Sequence, residues 1–383
     1  MLDLSTLAHD LDAVRRPVEA ARGLPSALYT DPDALVLERA RIFHAGWTCI
    51  GFCKDVPAPG DARPVDLLGA PLLLLRDHAG AVQVFENVCR HRGMILVEEA
   101  RNFGGVIRCP YHSWCYSLDG ALRATPHVGG PGINRSEALD PAQTGLTPVR
   151  SAVWMDMVFV NISGDAPDFA DWIAPLAARW ADFADRPLHA GQGSSFTLEV
   201  GCNWKLAVEN YCESYHLPWV HPGLNAYSRL EDHYHIEAPG AFSGQGTEVY
   251  APRLHDTLAF PDFEGLPARW DRAAEYVSLY PNVMLGVHRD HVFAIRLDPV
   301  AVDRTVEHVE IWYTTEAAAT GAELAELRAL NAAQWKGVFV EDIGVVEGMQ
   351  RGRHAPHFDG GRFSPVMDSP THLFHAWVAE RLA

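Results

Sequence analysis

The sequence lacks any long hydrophobic run. Its longest apolar stretches, residues 71–75 and 153–160, have the length of single β-strands, whereas a membrane-spanning helix needs about 20 consecutive apolar residues. Arg15 and Arg16 lie near the N-terminus, but acidic residues precede them and no apolar segment follows, so a signal peptide is not expected. The sequence therefore predicts a chain that does not cross a membrane.

Basic residues are also scarce. The chain has 31 Lys and Arg residues against 49 Asp and Glu residues, which gives a formal net charge of −18. Nucleic-acid binding depends on Lys and Arg side chains that neutralise phosphates, and anionic membranes attract basic segments. Neither a nucleic acid nor a membrane is therefore expected as a partner.

Cysteine is sparse, and nucleotide-binding glycine motifs are missing. The 7 cysteines in 383 residues, without secretory features, indicate reduced thiols or metal ligands rather than a disulfide framework, and they favour a cytoplasmic location. Neither a GxGxxG nor a Walker pattern occurs. If the reaction uses NAD(P)H, a separate protein must therefore oxidise it.

What is present divides into three regions. Residues 1–44 are predicted to form an N-terminal helical arm, because Leu4, Leu7, Leu11 and Val14 recur at helical spacing. Residues 45–163 alternate short β-rich runs with Gly, Pro and Asp turns, which predicts a small antiparallel β domain. Residues 164–383 mix helical and strand patterns, with one strand expected over 276–285, a helix over 322–349 and pocket-wall loops over 223–270. The predicted fold class is α+β.

Two short hooks each combine a cysteine with a histidine. Cys89 and His91 form the first, and Cys109 and His112 form the second. Two thiolates and two imidazoles suit either a structural zinc ion or a Rieske [2Fe–2S] cluster, in which two Cys hold one iron and two His the other. Zinc fingers pair Cys with Cys and His with His, so the mixed hooks favour the cluster. Cys115 is interpreted as a small apolar core residue.

Two further histidines, His216 and His221, lie close together in the segment 203–222. Pro218 between them prevents a regular helix from continuing through the pair, so a bend must present the second histidine. Such a pair suits facial ligation of an octahedral metal with open positions, provided that a carboxylate completes the set. For that role the spacing leaves open three acids of one helical segment: Glu341, Asp342 and Glu347.

Together these segments resemble the α subunits of Rieske non-haem iron oxygenases over essentially the whole chain. The resemblance lies in the surroundings of both hooks, in residues 203–222 and in the acidic segment around Asp342. It implies a Rieske domain at 45–163 and, at 164–383, a helix-grip catalytic domain with an antiparallel sheet, on which the N-terminal arm packs. The implied ligands of the [2Fe–2S] cluster are Cys89, His91, Cys109 and His112. Those of the mononuclear Fe(II) are His216, His221 and Asp342.

Members of that family carry an acid three residues before the first iron-binding histidine, and here it is Glu213. They mostly form head-to-tail trimers in which this acid hydrogen-bonds a cluster histidine of one subunit and an iron histidine of the next. The resemblance therefore implies a homotrimer, with an electron route from His112 through the neighbouring subunit's copy of Glu213 to His216. Ser113 departs from the family pattern, which usually has Gly after the second cluster histidine.

The resemblance implies the terminal oxygenase of a multicomponent system. NAD(P)H supplies electrons through a separate flavin and iron–sulfur reductase or a ferredoxin, and O₂ oxygenates a small organic substrate. Many members have Asp where Glu213 stands, and the chain is shorter than typical α subunits of α₃β₃ dioxygenases, which favours a homotrimer without β subunits. Both features favour a monooxygenase of the carnitine, betaine and choline branch, which hydroxylates and N-dealkylates quaternary ammonium compounds. Hydroxylation or cis-dihydroxylation of an aromatic acid by a dioxygenase is the alternative.

Two protein classes outside this family are the alternatives. A pure electron carrier needs only the β domain and leaves about 220 residues without a role, and a structural zinc protein would be colourless. Three aromatic residues near the histidine pair offer a cation–π cage for a trimethylammonium group, with core packing as the alternative. They are Tyr211, Tyr215 and Trp219.

Overall fold

The structure, a computed structural model, describes residues 4–238 and 242–383, with side chains from residue 7 onward. The chain divides into two compact units, one made of Met1–Phe43 with Pro167–Ala383 and the other of His44–Ala166. The domain limits predicted from the sequence stay a prediction. Leu4 begins the first helix, but its side chain lies outside the described part. In the described ranges, no helix has both the length and the apolar character needed to span a bilayer.

The unit His44–Ala166 consists of short antiparallel strands joined by turns. Its strands are β1 (Thr48–Phe52), β2 (Asp61–Leu67), β3 (Ala70–Arg76), β4 (Val82–Glu86), β5 (Arg101–Asn102), β6 (Val106–Arg108), β7 (Cys115–Ser117), β8 (Leu122–Ala124), β9 (Arg150–Trp154) and β10 (Met157–Asn161). They pair in the orders β1-β10-β9, β4-β3-β2-β5 and β6-β7-β8. The Gly, Pro and Asp turns that punctuate the sequence lie between these strands.

The leucine run of β3 is buried on both faces of its sheet. Leu73 and Leu75 belong to a core that also contains both hook cysteines, whereas Leu72 and Leu74 belong to a second core with residues of β1 and β10. Successive side chains of a strand point to opposite faces, so a strand between two apolar layers needs a continuous apolar run. One face of β3 therefore supports the hooks.

The larger unit combines helices with one antiparallel sheet. Its helices are α1 (Leu4–Val14), α2 (Ala27–Thr30), α3 (Pro32–Glu38), α4 (Phe169–Arg179), α5 (Ala181–Ala184), α6 (Trp204–Tyr211), α7 (Leu217–Val220), α8 (Pro222–Asn225), α9 (Glu316–Thr320), α10 (Ala325–Gly352) and α11 (Ser369–Leu382). Its strands are β11 (His189–Ala190), β12 (Phe196–Val200), β13 (His233–Ala238), β14 (Phe242–Thr247), β15 (Ala274–Leu279), β16 (Val283–Val287), β17 (His291–Ala301) and β18 (Arg304–Tyr313). Across the described residues the strand order is β11-β18-β17-β16-β15-β14-β13, and β12 also pairs with β18.

Two expectations about this unit were wrong, and one helix was missed. The strand expected over 276–285 is two strands, β15 and β16, because the chain turns at Pro281. The region 223–270, expected to be loops, contributes β13 and β14 to the sheet. Glycine is unfavourable in strands, so the two glycines of β14 argued against a strand there. Gly246 is nevertheless required, because a Cβ atom at this position would lie 2.4 Å from the ring of Tyr234. Helix α11 was not predicted at all.

Helix α10 brings the acidic segment to the histidine segment. It is 28 residues long and contacts both α6 and β12. The sequence predicted this helix from a stretch rich in Ala, Leu and Glu, which are strong helix formers. The two segments that the sequence singled out for metal binding therefore lie on neighbouring helices.

A buried ion pair joins α3 to α6. Lys205 is 0% exposed, and Nζ donates hydrogen bonds to Glu38 Oε1, to Leu28 O at 2.8 Å and to Asn203 Oδ1 at 2.7 Å. Trp204 Nε1 donates to the other oxygen of Glu38 at 2.8 Å. Every donor of this ammonium group has a partner, which is the condition under which a buried charge is tolerated. The pair fixes α6 against the N-terminal helices.

Candidate metal centres and substrate cavity

The histidine segment begins where α6 ends. The helix stops at Tyr211, earlier than the predicted limit of residue 215, and Glu213 Oε2 then accepts hydrogen bonds from the backbone N–H groups of Tyr215 and His216. This carboxylate therefore holds the turn that carries the first histidine. Pro218 lies in the first turn of α7, where its missing N–H has no helical partner to lose.

The three residues predicted as iron ligands converge. Donor atoms of His216, His221 and Asp342 lie within 4.8 Å of one another. Asp342 Oδ1 is 2.9 Å from His221 Nε2 and 3.8 Å from His216 Nε2, yet it is buried and forms no hydrogen bond of acceptable geometry with any described residue. Two imidazoles and one unpaired carboxylate oxygen are the donor set of a 2-His-1-carboxylate iron site. The residues therefore fit a mononuclear iron, and their assignment as ligands stays a prediction.

A carboxylate orients each imidazole from the opposite side. Glu213 Oε1 lies 2.6 Å from His216 Nδ1, and Glu341 Oε2 lies 2.7 Å from His221 Nδ1. A carboxylate at Nδ1 fixes the proton there and leaves Nε2 free to bind a metal. Burial by itself would lower the pKa of His221, but its contacts with Asp342 and Glu341 outweigh burial and raise that pKa.

The three acids that the sequence left open have different surroundings. Asp342 belongs to the converging group, whereas Glu341 contacts only the outer nitrogen of His221. Glu347 lies farther along α10 and accepts a hydrogen bond from Gly201 N at 3.0 Å. The geometry favours Asp342 over both glutamates.

The two cysteine–histidine hooks share one backbone turn. In the first, Cys89 N donates to Met94 O at 2.8 Å, and Cys89 O accepts from Gly93 N at 3.0 Å; the equivalent distances at Cys109 are 2.8 and 3.1 Å. The residue after each histidine-containing turn has a positive φ, +77° at Gly93 and +58° at Ser113. This left-handed region favours glycine, and another residue costs about 1 kcal/mol there. The departure from Gly at position 113 is therefore a strained one.

Within each hook the sulfur lies inside and the imidazole outside. Cys89 and Cys109 are each 2% exposed, whereas His91 is exposed and His112 half-buried. The two histidine rings lie 4.7 Å apart between centroids, and Nδ1 of His112 is buried without a hydrogen-bond partner in the described structure. Tyr116 places its hydroxyl 3.3 Å from Cys89 Sγ. Two buried thiols beside two adjacent imidazoles fit the donor set of a Rieske cluster, and this assignment also stays a prediction.

A cavity of about 480 Å³ opens onto the three converging donors. Five aromatic residues line it, namely Tyr211, Tyr276, Phe293, Trp335 and Phe339. Trp335, Phe339 and Asp342 recur at helical spacing on α10, so they share one face of that helix. This spacing could have predicted from the sequence that Trp335 and Phe339 line the cavity beside Asp342.

The position of Trp335 is fixed from behind. Its Nε1 donates to His291 Nε2 at 2.9 Å, and His291 Nδ1 lies 2.6 Å from Asp290 Oδ1. Since Nε2 accepts the indole N–H, the histidine proton belongs on Nδ1, where the carboxylate receives it. The chain from Asp290 to Trp335 therefore sets the orientation of one cavity wall.

A polar path forms the opposite side of the cavity. His233 Nε2 lies 3.0 Å from Ser228 Oγ, and its Nδ1 lies 2.5 Å from Gln245 Oε1. Gln245 Nε2 in turn donates to Glu213 O at 3.2 Å. Burial lowers the pKa of His233. No sequence pattern singled out His233 and Gln245, because they lie on β13 and β14, which were not predicted.

Of the three residues proposed for a cation–π cage, one lines the cavity. Tyr211 does so, and its hydroxyl donates to Leu285 O at 2.8 Å. Tyr215 and Trp219 are 44% and 71% exposed, and their rings pack on each other with centroids 5.8 Å apart. The cage expectation was wrong for these two, because the turn after α6 directs them away from the cavity.

A second cavity of about 350 Å³ adjoins the first. The two share four lining residues, Asn210, Tyr211, Phe339 and Asp342. Glu307 of β18 lines the second cavity and is 7% exposed. Burial, together with the charge of Asp342, raises the pKa of Glu307 to about 8.

Comparison with known protein families agrees with both donor sets. Residues 46–137 match the Rieske [2Fe-2S] domain, and residues 187–383 match the ring hydroxylating alpha subunit (catalytic domain). The chain belongs to the ring-hydroxylating α-subunit family. As such a subunit it is an O₂-dependent oxygenase with a Rieske [2Fe–2S] cluster and a mononuclear iron, and NAD(P)H supplies its electrons through a reductase.

Curated relatives of this α subunit are monooxygenases. The carnitine monooxygenase oxygenase subunit of Escherichia coli (strain K12) is 26% identical over 340 residues, which cover 88% of this chain and 86% of the relative. The chloroplastic choline monooxygenase of Spinacia oleracea is 28% identical over 392 residues, which cover 99% of this chain and 82% of the relative. The chain is thus similar to oxygenase components over nearly its full length.

Solved structures show the same fold. A quaternary ammonium Rieske monooxygenase in complex with L-carnitine has a TM-score of 0.78 at 24% identity, covering 97% of this chain and 99% of the other. Naphthalene 1,2-dioxygenase from Rhodococcus sp. has a TM-score of 0.75 at 18% identity, covering 99% and 97%. The predicted family, α+β fold class, terminal-oxygenase activity and iron cofactors are therefore confirmed.

Proposed function

We propose that this α subunit hydroxylates a quaternary ammonium compound at a carbon next to nitrogen, and so N-dealkylates it. The observation that carries the proposal is the aromatic cavity above the three converging donors. Aromatic faces attract quaternary ammonium groups through their negative quadrupoles. The names of the relatives, carnitine and choline monooxygenases, support the same substrate class. Hydroxylation beside nitrogen gives a hemiaminal, which releases an aldehyde and an amine.

The proposed iron ligands are His216, His221 and Asp342, and the proposed cluster ligands are Cys89, His91, Cys109 and His112. When bound, the cluster relays single electrons and the iron activates O₂. The protein prepares the iron site by directing both Nε2 atoms to one point, with Glu213 and Glu341 holding the opposite nitrogens. It also keeps one oxygen of Asp342 free of hydrogen bonds among the described residues.

The aromatic wall is proposed to hold the substrate cation. Trp335 is suited to this role because His291 fixes its indole ring, so little rotamer entropy is lost when a ligand contacts it. Tyr276, Phe293 and Phe339 complete an apolar surface that excludes water. A substrate methyl group held between this wall and the donor atoms is positioned for hydroxylation.

The proposal also includes the oligomeric state, the electron donor and the cell compartment. The chain forms a homotrimer, in which Glu213 connects His216 to His112 of the adjacent subunit. A flavin and iron–sulfur reductase, with or without a ferredoxin, supplies the electrons. The cytoplasm is the proposed compartment, in keeping with seven free cysteines and no disulfide among the described residues.

A substrate screen tests the proposed function. Holoenzyme and a surrogate reductase are incubated with NADH, and consumption of NADH and O₂ is followed with choline, carnitine, glycine betaine and benzoate. We expect stimulation and aldehyde release with at least one quaternary ammonium compound, and none in the Asp342→Ala variant. Stimulation by benzoate alone, with a hydroxylated ring as product, would establish the aromatic-acid alternative instead.

A further inference from the structure

The second cavity contains a buried acid without a counter-ion. Glu307 is 7% exposed, and most of the side chains that surround the cavity with it are apolar, including Val200, Met284, Ile295 and Val346. Among the described residues, none forms a hydrogen bond or an ion pair with its carboxyl group. Burying a carboxyl group without partners costs stability, so stability does not explain why a glutamate occupies this position.

Both cavities lack basic side chains of the kind that bind carboxylates. No lysine or arginine is among the described residues that line either one. The acids that line them are Asp342, shared by both, and Glu307 in the second. Around Glu307 the protein therefore offers a substrate cation a carboxylate, whereas it offers a substrate carboxylate no lysine or arginine among the described residues.

The two cavities adjoin each other at Asp342, which lines both. They share Asn210, Tyr211 and Phe339 as well as that acid. We infer that the two cavities act as one site, in which a small ligand lies with one end at the three donors and the other end toward Glu307. In such a pose, the reacting carbon and the charged nitrogen are close together, as they are in a methylated ammonium group.

We propose that Glu307 is a specificity-determining residue that binds the ammonium group, and that the substrate is a cation without a carboxylate group. This inference rests on the proposed function and narrows it to choline-like amino alcohols and simple alkylammonium ions. Betaine-type zwitterions are disfavoured because their carboxylate finds no lysine or arginine among the described residues that line either cavity. The raised pKa of Glu307 belongs to the empty cavity; a cation bound beside the group favours the ionised form and lowers that pKa. The attraction between the carboxylate and the cation is then strong in such a poorly hydrated site, so selection is by charge as well as by shape.

Binding measurements on the iron-loaded holoenzyme without O₂ test the inference. Choline, glycine betaine and 3,3-dimethylbutan-1-ol, the uncharged carbon isostere of choline, are compared by calorimetry. We expect wild type to bind choline at least tenfold more tightly than either of the other two. In Glu307→Gln, which keeps the shape and removes the charge, the preference for choline over the isostere falls at least tenfold. Glu307→Asp, which restores a carboxylate, recovers part of it.

Glu310→Gln is the matched control. Glu310 is a buried glutamate on the same strand and is 1% exposed, but it lines neither cavity. We expect it to keep the wild-type preference, while the cluster absorption verifies folding of every variant. The inference is overturned if glycine betaine binds as tightly as choline to wild type, or if Glu307→Gln keeps the full preference for choline over its isostere. If no quaternary ammonium compound binds or stimulates turnover, the proposed function fails instead.

Discussion

Glu341 and His221 form a hydrogen-bonded pair beside the proposed iron site, with Glu341 Oε2 2.7 Å from His221 Nδ1. The next residue, Asp342, approaches the other nitrogen of the same ring at 2.9 Å. Two consecutive acids of α10 therefore lie on the two sides of one imidazole ring, Glu341 at Nδ1 and Asp342 at Nε2. Glu341 orients the ring, and Asp342 lies beside the nitrogen that faces the proposed iron.

This division between the acids predicts different effects on iron content. Asp342→Ala should lower iron from about three to about two atoms per chain, because a facial triad loses a ligand while the cluster remains. Glu341→Gln should keep the iron but weaken its binding about 10- to 100-fold. Metal analysis at graded chelator concentrations measures both effects. Glu347→Ala is the control and should match wild type; loss of iron in Glu341→Gln but not in Asp342→Ala would make Glu341 the ligand.

The hooks predict separate behaviour of the two metal sites. Cys109→Ser should abolish the visible absorption and the EPR signal of the cluster, because a thiolate ligand is removed. The mononuclear iron should remain, since its ligands lie in the other compact unit. Cys115→Ser changes a neighbouring buried cysteine outside the hooks and should keep the spectrum. An unaltered cluster signal in Cys109→Ser would refute the ligand assignment.

Glu213 is predicted to control electron transfer in addition to orienting His216. Glu213→Gln keeps the shape and removes the charge, and Glu213→Leu also removes the hydrogen bond to His216 Nδ1. Both variants should load their metals and accept electrons from the reductase, while single-turnover oxidation of the reduced cluster slows at least 100-fold. Stopped-flow absorption follows that step directly.

Mixed trimers test the route between subunits. A His112→Ala chain and a Glu213→Leu chain should each be inactive, but a co-assembled trimer contains interfaces where an intact cluster faces an intact iron site. Partial recovery of turnover is therefore expected in mixtures whose composition is verified by mass. Verified mixed trimers without activity above either parent would argue against transfer across subunits.

The cavity wall predicts which tryptophan affects the substrate. Trp335→Leu should raise KM for a quaternary ammonium substrate about 5- to 30-fold, because a cation–π contact in a desolvated site contributes about 1–2 kcal/mol. Trp219→Leu removes an indole ring that is 71% exposed and should leave KM unchanged. Steady-state kinetics with a fixed reductase concentration compares the two. A larger increase of KM in Trp219→Leu than in Trp335→Leu would show that the exposed turn, and not the cavity wall, binds the cation.

The Glu38–Lys205 pair predicts a stability effect. Lys205→Met leaves Glu38 buried without its partner, and about 3–5 kcal/mol of unfolding free energy should be lost. Replacing both residues, as Glu38→Leu with Lys205→Met, should recover much of this loss because no charge remains buried. Thermal and denaturant unfolding of the two variants measure the difference. Equal destabilisation by the single and the double change would show that the packing of Lys205, and not its charge, matters.

Local patterns were what the sequence alone could determine. Each cysteine–histidine hook is a short turn whose ligands lie within four residues, so its donor set can be read directly from residues 89–91 and 109–112. Pro218 likewise excludes one continuous helix through the histidine pair, because proline is unfavourable in a helix interior. The leucine run of β3 and the long helix α10 follow from apolar pattern and helix propensity.

Tertiary structure decided everything that depends on residues distant in sequence. Spacing alone could not decide whether Glu341 or Asp342 is the iron ligand, because the two side chains point to different sides of the same helix turn. Only the position of the histidine segment next to α10 shows which side faces the proposed iron site. The exposure of Tyr215 and Trp219 depends on the turn that Glu213 caps. Glu307 and Trp335 come from a strand and a helix that meet at the cavities, and only packing brings such residues together.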